Sequence, residues 1–495
     1  MGSGTSADAA PSDPEKPRGN NLLRGRPAAG GAAIVAGLSP RPPALRIRVV
    51  AASSRLGPLE LVVALGAALA AVAGTIGADA RWLPALGRII VGRGEIPNGV
   101  PYASAPSTGW HNVPVLAELI LRGLTSVAGS RGFLVAQVIA VASALALLAW
   151  DLRRARADDF GGALVLLVVI VGALPALLII RSQLFSLLFF PALVALLRNE
   201  AREPSARVWL LLPLLALWSN LHGAVLVGLA VTASYLVLDR GRRQPLVAAA
   251  VLSGSALAVC ATPALAQTPD YYLGVLHNEA ARRGVQLWAP LSLTSGFDLL
   301  LLGAGVTLLA LALRARPALW ETVALAALAI LTIRTARSGI WLLFFAAAPA
   351  ARALRFAPGR SLRLAVPALA VAAAVVAFGL VHGPLSTGAG KPLLAEALQR
   401  ARGTPILAEG VLAEQVAFAG GRVWMSNPLD AFSRHDQRLY LDWLAGRPDG
   451  DPALREAPRV VLVLRDSDAA HRLGHIRLAH SITSDANSVL YVKLR

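Results

Sequence analysis

Eleven apolar runs are the feature of this chain that most restricts its possible folds. They lie at residues 57–78, 131–150, 160–180, 182–197, 208–219, 221–238, 244–266, 297–313, 317–333, 338–351 and 364–382. The 495 residues are 55% hydrophobic and 15% charged, with a mean hydropathy of +0.58, which is too apolar for a soluble globule. The runs therefore predict an all-α polytopic membrane domain of about eleven transmembrane helices. Because a perpendicular span needs ~20 residues, short runs such as 208–219 are expected to be tilted, broken or sheltered by neighbours.

Arginine supplies almost all of the net charge of +18, and its distribution predicts an orientation in the membrane. Fifteen arginines lie in the connections 153–156, 198–207, 240–243, 314–316 and 352–363, which we assign to the inner side. This asymmetry predicts a multi-pass plasma-membrane protein with a cytoplasmic N-terminus and, after eleven spans, an extracytoplasmic C-terminus. The assignment requires 208–239 to be two helices, since one long helix would put 240–243 outside. Because the arginines flank apolar runs, we attribute the positive charge to orientation in the membrane and not to nucleic-acid binding.

The segments on either side of the membrane domain, 56–382, differ from it in composition. Residues 1–55 are rich in Gly, Pro, Ala and Arg without periodicity, which predicts a disordered basic cytoplasmic arm. Residues 383–495 predict a small extracytoplasmic α/β domain. Its strand-like segments are 405–408, 422–425, 459–464 and 488–494, and its helical patterns are 391–402, 433–445 and 466–473. It contains no phosphate-binding glycine loop, zinc-ligand spacing or nucleophile elbow, so we expect it to bind an acceptor or pack over the loops.

Polar residues that inner-side flanking does not explain collect at the predicted outer ends of the spans. Asp79 follows the first run and precedes a short amphipathic helix, so we expect it at the membrane surface. It is either a general base or a solvated carboxylate that ends a helix. Ionisable groups near a membrane interior are costly and suggest function, although each alone also fits snorkelling or helix capping. As a set they predict a cavity open to the outer leaflet: Glu118, Arg181, Gln183, Asn220, His222, Trp288, Arg334 and Arg337.

Four patches in this outer layer follow one another in a distinctive order. They are Asp79, Trp82 and Gly87 with Pro97, Trp110 and Leu116; Arg181 to Ser186 (RSQLFS); Trp218 to Gly223 (WSNLHG); and Trp288 to Pro290 (WAP) followed by Arg334 and Arg337. Together they resemble the GT-C superfamily of polytopic membrane glycosyltransferases, in particular bacterial members with a C-terminal outer domain. The resemblance covers about residues 57 to 350.

The first loop, which we define as residues 79–118, departs from the pattern of that superfamily. Related loops usually carry a second acid after the proline and a His-Glu pair near the tryptophan. This chain has Asn98, Gly99 and Val100 at the first place and Val113 and Pro114 at the second, and Leu83 stands where a histidine is usual. Glu118 and Glu95 are the candidates for a substitute second acid.

The resemblance implies transfer of a sugar from a polyprenyl-phosphate donor to an extracytoplasmic glycan or protein acceptor, with Asp79 as general base. Arg181, Arg334 and Arg337 would bind the donor phosphate, since arginine gives planar, permanently charged contacts. Gln183, Asn220, His222 and Trp288 would complete the substrate site.

The partners implied are therefore membrane lipid and a lipid-linked sugar, and not nucleic acid. The lone Cys260 excludes a cysteine-based metal site, and the sequence does not support a divalent metal.

Two other functions are open at this point. The missing acids favour a non-catalytic GT-C-like membrane protein that acts in envelope assembly through its outer domain. A transporter or flippase is less favoured, because the sequence shows no internal repeat or matched pair of broken helices.

Overall fold

A computed structural model gives the fold of this protein. It describes residues 57–354, 356, 365–456, 459–476 and 479–493, and these belong to one compact unit. The basic arm predicted at 1–55 lies outside the described residues.

Helices make up most of the described chain, and each of the eleven apolar runs contains one. As far as the C-terminal segment they are α1 Pro58–Ala73, α2 Trp82–Arg93, α3 Val115–Ala128, α4 Arg131–Arg154, α5 Asp159–Gly172, α6 Leu174–Leu178, α7 Leu184–Arg202, α8 Leu211–Ser219, α9 Val225–Tyr235, α10 Gly241–Arg243, α11 Pro245–Val259, α12 Thr268–Leu276, α13 Glu279–Arg283, α14 Gly296–Arg314, α15 Leu319–Arg334, α16 Gly339–Ala353 and α17 Ala365–His382. The mostly helical prediction is thereby confirmed. The segment 208–239 does divide into two helices, α8 and α9.

The number of helices long enough to span a membrane is smaller than predicted. In the described part of the chain, α4, α7, α14 and α17 are long and apolar enough to cross a membrane. The count of eleven spans is therefore not confirmed. Apolar runs overestimate helix length because they continue through the turns: the run 57–78 stays apolar past the end of α1, and the run 160–180 includes a break at Ala173.

Three very short strands connect the ends of three distant helices. Strand β1 (Thr75–Ile76) lies between β2 (Ile179–Ile180) and β3 (Leu385–Ser386), and both pairings are parallel. The chain therefore runs in the same direction where it leaves α1, α6 and α17. This small sheet also places the residues after β1 beside those after β2, since the backbone N–H of Ser182 donates to the carbonyl of Asp79 over 3.2 Å.

The C-terminal segment is α/β, as its pattern predicts. Its sheet has the order β4-β5-β7-β6, with β4 Ile406–Ala408, β5 Val460–Leu464, β6 Ala479–Ser484 and β7 Ser488–Lys493. Only β4 and β5 are parallel; the other two pairs are antiparallel. Its helices are α18 Lys391–Ala401, α19 Gly410–Phe418, α20 Arg434–Leu444, α21 Asp451–Glu456 and α22 Asp468–His475. The sequence pattern had not indicated β6, α19 or α21.

The first loop is joined to the edge of this C-terminal sheet. Val423 forms parallel bridges both with Ile406 of β4 and with Ala103 of the loop between α2 and α3. The loop that follows Asp79 and the C-terminal segment therefore pack directly against each other.

Candidate active site

Asp79 lies in the turn between β1 and α2, and its carboxylate is held from two sides. The indole Nε1 of Trp82 donates to Oδ1 over 2.6 Å, and the Ser182 hydroxyl donates to Oδ2 over 2.9 Å. The backbone of Asp79 is left-handed, with φ of 76°, which is uncommon for a residue other than glycine. The residue is half-buried.

Glu414 of α19 holds the same turn from the C-terminal segment. Its Oε1 accepts the backbone N–H of Asp79 over 2.6 Å, and its Oε2 accepts those of Ala80 and Arg81 over 3.1 and 3.0 Å. The side-chain amide of Asn427 also donates to Oε1 over 2.8 Å. Glu414 is fully buried, and burial together with the charge of Asp79 raises its pKa to about 7. The sequence analysis did not identify this residue.

Two of the three predicted phosphate-binding arginines lie near Asp79. Burial lowers the pKa of Arg181, and it lowers the pKa of Arg337 to about 10, while the charge of Asp79 opposes both shifts. Both side chains stay positive at neutral pH because a guanidinium is not deprotonated in proteins. The guanidinium of Arg337 lies 4.3 Å from the centre of the Trp288 ring, a cation–π contact that fixes its plane. The buried Nε of Arg181 has no hydrogen-bond partner among the described residues.

A cavity of about 150 Å³ opens beside these two arginines. Arg181, Gln183 and Arg337 line its polar side, and Asp298 from the first turn of α14 also reaches it. The rest of its wall is largely apolar and is contributed by α14, α16 and the α5–α6 break, including Ala173, Pro175, Leu301 and Ile340. The cavity therefore combines two cations and the carboxylate of Asp298 with a largely apolar wall.

His222 enters the site from the turn between α8 and α9. Its Nδ1 lies 2.7 Å from the Ser186 hydroxyl and accepts the backbone N–H of Ala224 over 3.2 Å. Burial lowers the pKa of His222 to about 4; the charge of Asp79 opposes that shift and the charge of Arg337 adds to it. The ring is therefore neutral at pH 7. Because Nδ1 accepts, we assign the proton to Nε2, which leaves Nε2 as the hydrogen-bond donor of the ring.

A second, larger cleft lies between α12–α13 and the C-terminal segment. It has a volume of about 470 Å³, and its lining includes His277, Asp430 and Phe432. The indole of Trp110 donates to Asp430 Oδ2 over 2.8 Å and packs against Tyr271, with ring centres 6.2 Å apart. Burial raises the pKa of Asp430 to about 6. The segment from Tyr271 to Trp288 thus connects the larger cleft with the Arg337 contact.

Four other predicted site residues lie elsewhere. Asn220 caps helix ends, since its Nδ2 donates to the carbonyls of Ala216 and Ala261 over 2.8 and 2.7 Å. Arg334 and Glu95 are exposed, and neither lines the two cavities. Glu118 is fully buried and accepts from Asn112 over 2.8 Å; burial raises its pKa to about 8, so it is neutral at pH 7.

Of the predicted residues, Arg181, Gln183 and Arg337 line one cavity, and Trp288 packs against Arg337. Asp79 and His222 do not line that cavity; Asp79 is hydrogen-bonded to Ser182, which lies between Arg181 and Gln183, and His222 is hydrogen-bonded to Ser186. The described residues contain no group of three or more His, Cys, Asp or Glu side chains arranged to hold a metal ion. No protein-family model matches this chain, and no curated protein matches it significantly. The geometry of the site and the membrane-length helices are therefore the basis for a functional proposal.

Proposed function

We propose that this protein is an integral-membrane glycosyltransferase of the GT-C type. It transfers a sugar from a polyprenyl-phosphate donor to an extracytoplasmic glycan or protein acceptor. One observation carries the proposal: Arg181 and Arg337 line one cavity, and Ser182, the residue after Arg181, donates a hydrogen bond to the oriented carboxylate of Asp79. The charge of Asp79 acts on the pKa of Arg181, of His222 and of Arg337, although these residues are distant from it in sequence.

The chemistry of these groups fits glycosyl transfer. Asp79 takes the proton of the acceptor hydroxyl while that oxygen forms a bond to C1 of the donor sugar. The bond from C1 to the phosphate oxygen breaks, and the polyprenyl phosphate leaves with its negative charge balanced by Arg181 and Arg337. His222 donates a hydrogen bond from Nε2 to a sugar hydroxyl or a phosphate oxygen.

The proposed arrangement in the membrane keeps the eleven helical segments, a cytoplasmic N-terminus and an extracytoplasmic C-terminal domain. The parallel pairing of β1, β2 and β3 supports the exit of α1, α6 and α17 on one side. Helices shorter than a span would be sheltered by the longer α4, α7, α14 and α17. The site then lies at the outer surface, where a lipid-bound donor and a polar acceptor can meet.

A non-catalytic GT-C-like role in envelope assembly is the second candidate. It is favoured by the fact that both carboxylate oxygens of Asp79 already accept hydrogen bonds, from Trp82 and Ser182. In that case the turn at Asp79 serves to join the first loop to the C-terminal segment.

Replacing Asp79 distinguishes the two candidates. Asp79→Asn keeps one oxygen to accept from Trp82, and its amide can donate to Ser182, so the fold is expected to persist. Without a general base, sugar transfer in proteoliposomes should fall by about 100-fold to 10,000-fold.

Glu95→Gln and Glu118→Gln are the matched controls, because Glu95 is exposed and Glu118 is buried away from both cavities. If Asp79→Asn stays fully active while Glu118→Gln does not, the base is not Asp79. If the unmutated protein transfers no polyprenyl-linked sugar, the result supports the non-catalytic role in envelope assembly and contradicts the glycosyltransferase function.

A further inference from the structure

Helices α2 and α19 bind each other through two contacts. An acidic side chain of α19 lies at the N-terminal end of α2, and a basic side chain of α2 lies at the C-terminal end of α19. The Glu414 carboxylate accepts three successive backbone N–H groups in the turn that leads into α2, next to the positive end of that helix. In return, Arg88 of α2 donates to the carbonyls of Ala417 and Phe418, the last two residues of α19, over 2.9 and 2.8 Å. Each helix thus supplies the charge that the other helix end favours.

The contact made by Glu414 falls on the backbone of Asp79 itself. Asp79 has a left-handed φ of 76°, a conformation that is unfavourable for a residue other than glycine unless its surroundings fix it. The N–H of Asp79 donates to Glu414 over 2.6 Å, and this hydrogen bond holds the peptide plane that sets the direction of the Asp79 side chain. Asp79 and Glu414 are 335 residues apart in sequence, so folding of the C-terminal segment is needed to form the contact.

The surroundings of Glu414 favour positioning over direct chemistry. Its side chain is fully buried, and both of its oxygens are occupied by the turn and by Asn427. The hydroxyl of Tyr102, from the first loop, donates to the carbonyl of Asn427 over 2.8 Å. This hydrogen bond connects Asn427, and through it Glu414, to the first loop. Glu414 therefore has no accessible oxygen for a substrate, and its influence on a reaction must pass through Asp79.

We propose that Glu414 is a positioning residue, through which the C-terminal segment fixes Asp79 in the orientation that accepts the proton of the acceptor. This inference rests on the proposed role of Asp79 as base. It gives the C-terminal segment a part in the transfer step itself, in addition to any part in acceptor binding.

The chain offers a matched control in Glu409, a second buried acid, which immediately precedes α19. Glu409 accepts from the backbone N–H of Leu464 over 3.0 Å and from the Ser467 hydroxyl, so its partners lie within the C-terminal segment. Burial raises the pKa of Glu409 to about 7, as it does for Glu414. Loss of Glu409 should disturb the C-terminal segment without releasing the turn at Asp79.

The experiment compares Glu414→Ala, Glu414→Gln and Glu409→Gln in the full-length protein. Glu414→Ala should lower kcat by about 100-fold, the cost of a small misplacement of a catalytic group, while the KM for the lipid-linked donor stays unchanged. Glu414→Gln should lose less, since its carbonyl oxygen can still accept from Ala80 and Arg81. Glu409→Gln should keep kcat close to that of the unmutated protein.

Amide hydrogen exchange gives a readout that does not depend on activity. The amides of Asp79, Ala80 and Arg81 should exchange faster in Glu414→Ala and at the unmutated rate in Glu409→Gln. Unchanged exchange in both Glu414 variants, or an equal loss of kcat with Glu409→Gln, would overturn the inference. If the unmutated protein transfers no sugar, the proposed function fails, and exchange at these three amides alone decides whether Glu414 holds the turn.

Discussion

Arg334 and Arg337 are three residues apart, yet the structure gives them different environments. Arg334 is the last residue of α15 and is exposed, whereas Arg337 lies in the turn before α16, against Trp288 and the cavity. The sequence predicted both as phosphate ligands, because both follow the same apolar run. Their difference depends on the position where α15 ends, which periodicity alone does not fix.

Arg337 and Arg334 therefore make a matched pair for testing the donor site. Arg337→Ala should raise the KM for a polyprenyl-phosphate sugar by about tenfold or more, since a charge-assisted contact to phosphate contributes about 1.5–3 kcal/mol. Arg334→Ala should leave the KM unchanged. Equal effects of the two substitutions in a proteoliposome assay would contradict the assignment of Arg337 and not Arg334 to the donor phosphate.

Glu414 shows what sequence reasoning missed at this scale. Asp79, Arg181 and His222 stood out because they are polar residues at the ends of apolar runs. Glu414 lies in a C-terminal segment with many other acids, and its partners are backbone N–H groups, which leave no mark in a sequence. One signal was present: Glu414 and Gln415 interrupt an otherwise apolar stretch, GVLAEQVAF, which forms α19.

At the scale of the helices and strands, the apolar runs located the helices but not their packing. The structure adds a group of ion pairs between the C-terminal ends of α4 and α7 and the first turn of α15. Arg198 of α7 lies 2.5 Å from Asp151 of α4 and 3.0 Å from Glu321 of α15, and all three side chains are buried. The sequence interpretation counted Arg198 among the inner flanking arginines. Its burial depends on acids from distant helices, and a single run could not show that pairing.

Breaking this ionic group should destabilise the protein strongly. Arg198→Met leaves the buried Asp151 without its cation and leaves Glu321 with only the partly exposed Arg352, at 3.4 Å. Removing one partner of a buried ion pair typically costs about 3–5 kcal/mol. The control is Arg153→Met, because Arg153 pairs with Glu60 and Asp159 at a position where its side chain is 43% exposed, and such pairs contribute about 0–1 kcal/mol. Thermal unfolding in detergent should show a large loss for Arg198→Met and little change for Arg153→Met. Similar melting temperatures for the two variants would contradict a structural role for the buried group.

At the scale of the whole molecule, the sequence predicted the helical class and the α/β character of the C-terminal segment. It could not predict that the first loop joins the edge of the C-terminal sheet, because the bridges of Val423 to Ala103 and to Ile406 involve single residues. The two-residue strands β1, β2 and β3 are also too short to leave an alternating pattern. These long-range contacts are what bring Asp79, Arg181 and Glu414 together.

The orientation of the protein can be tested with single cysteines, because Cys260 is the only cysteine in the sequence. In a Cys260→Ser background, Glu95→Cys reports on the first loop, Arg438→Cys on the C-terminal segment and Arg242→Cys on an arginine-rich connection. All three native side chains are exposed. The arginine asymmetry predicts that a membrane-impermeant maleimide labels the first two in intact cells and Arg242→Cys only after permeabilisation.

The contacts between the first loop and the C-terminal segment provide an internal check on this experiment. Arg88 and Tyr102 bind the backbone of the C-terminal segment, so Glu95→Cys and Arg438→Cys must be labelled from the same side whatever the orientation. If only Arg242→Cys is labelled in intact cells, the site faces the cytoplasm, and an extracytoplasmic acceptor is excluded. A lipid-linked donor can reach the cavity from either side of the membrane. The labelling experiment therefore tests on which side the acceptor lies, and it does not test whether Asp79 is the general base.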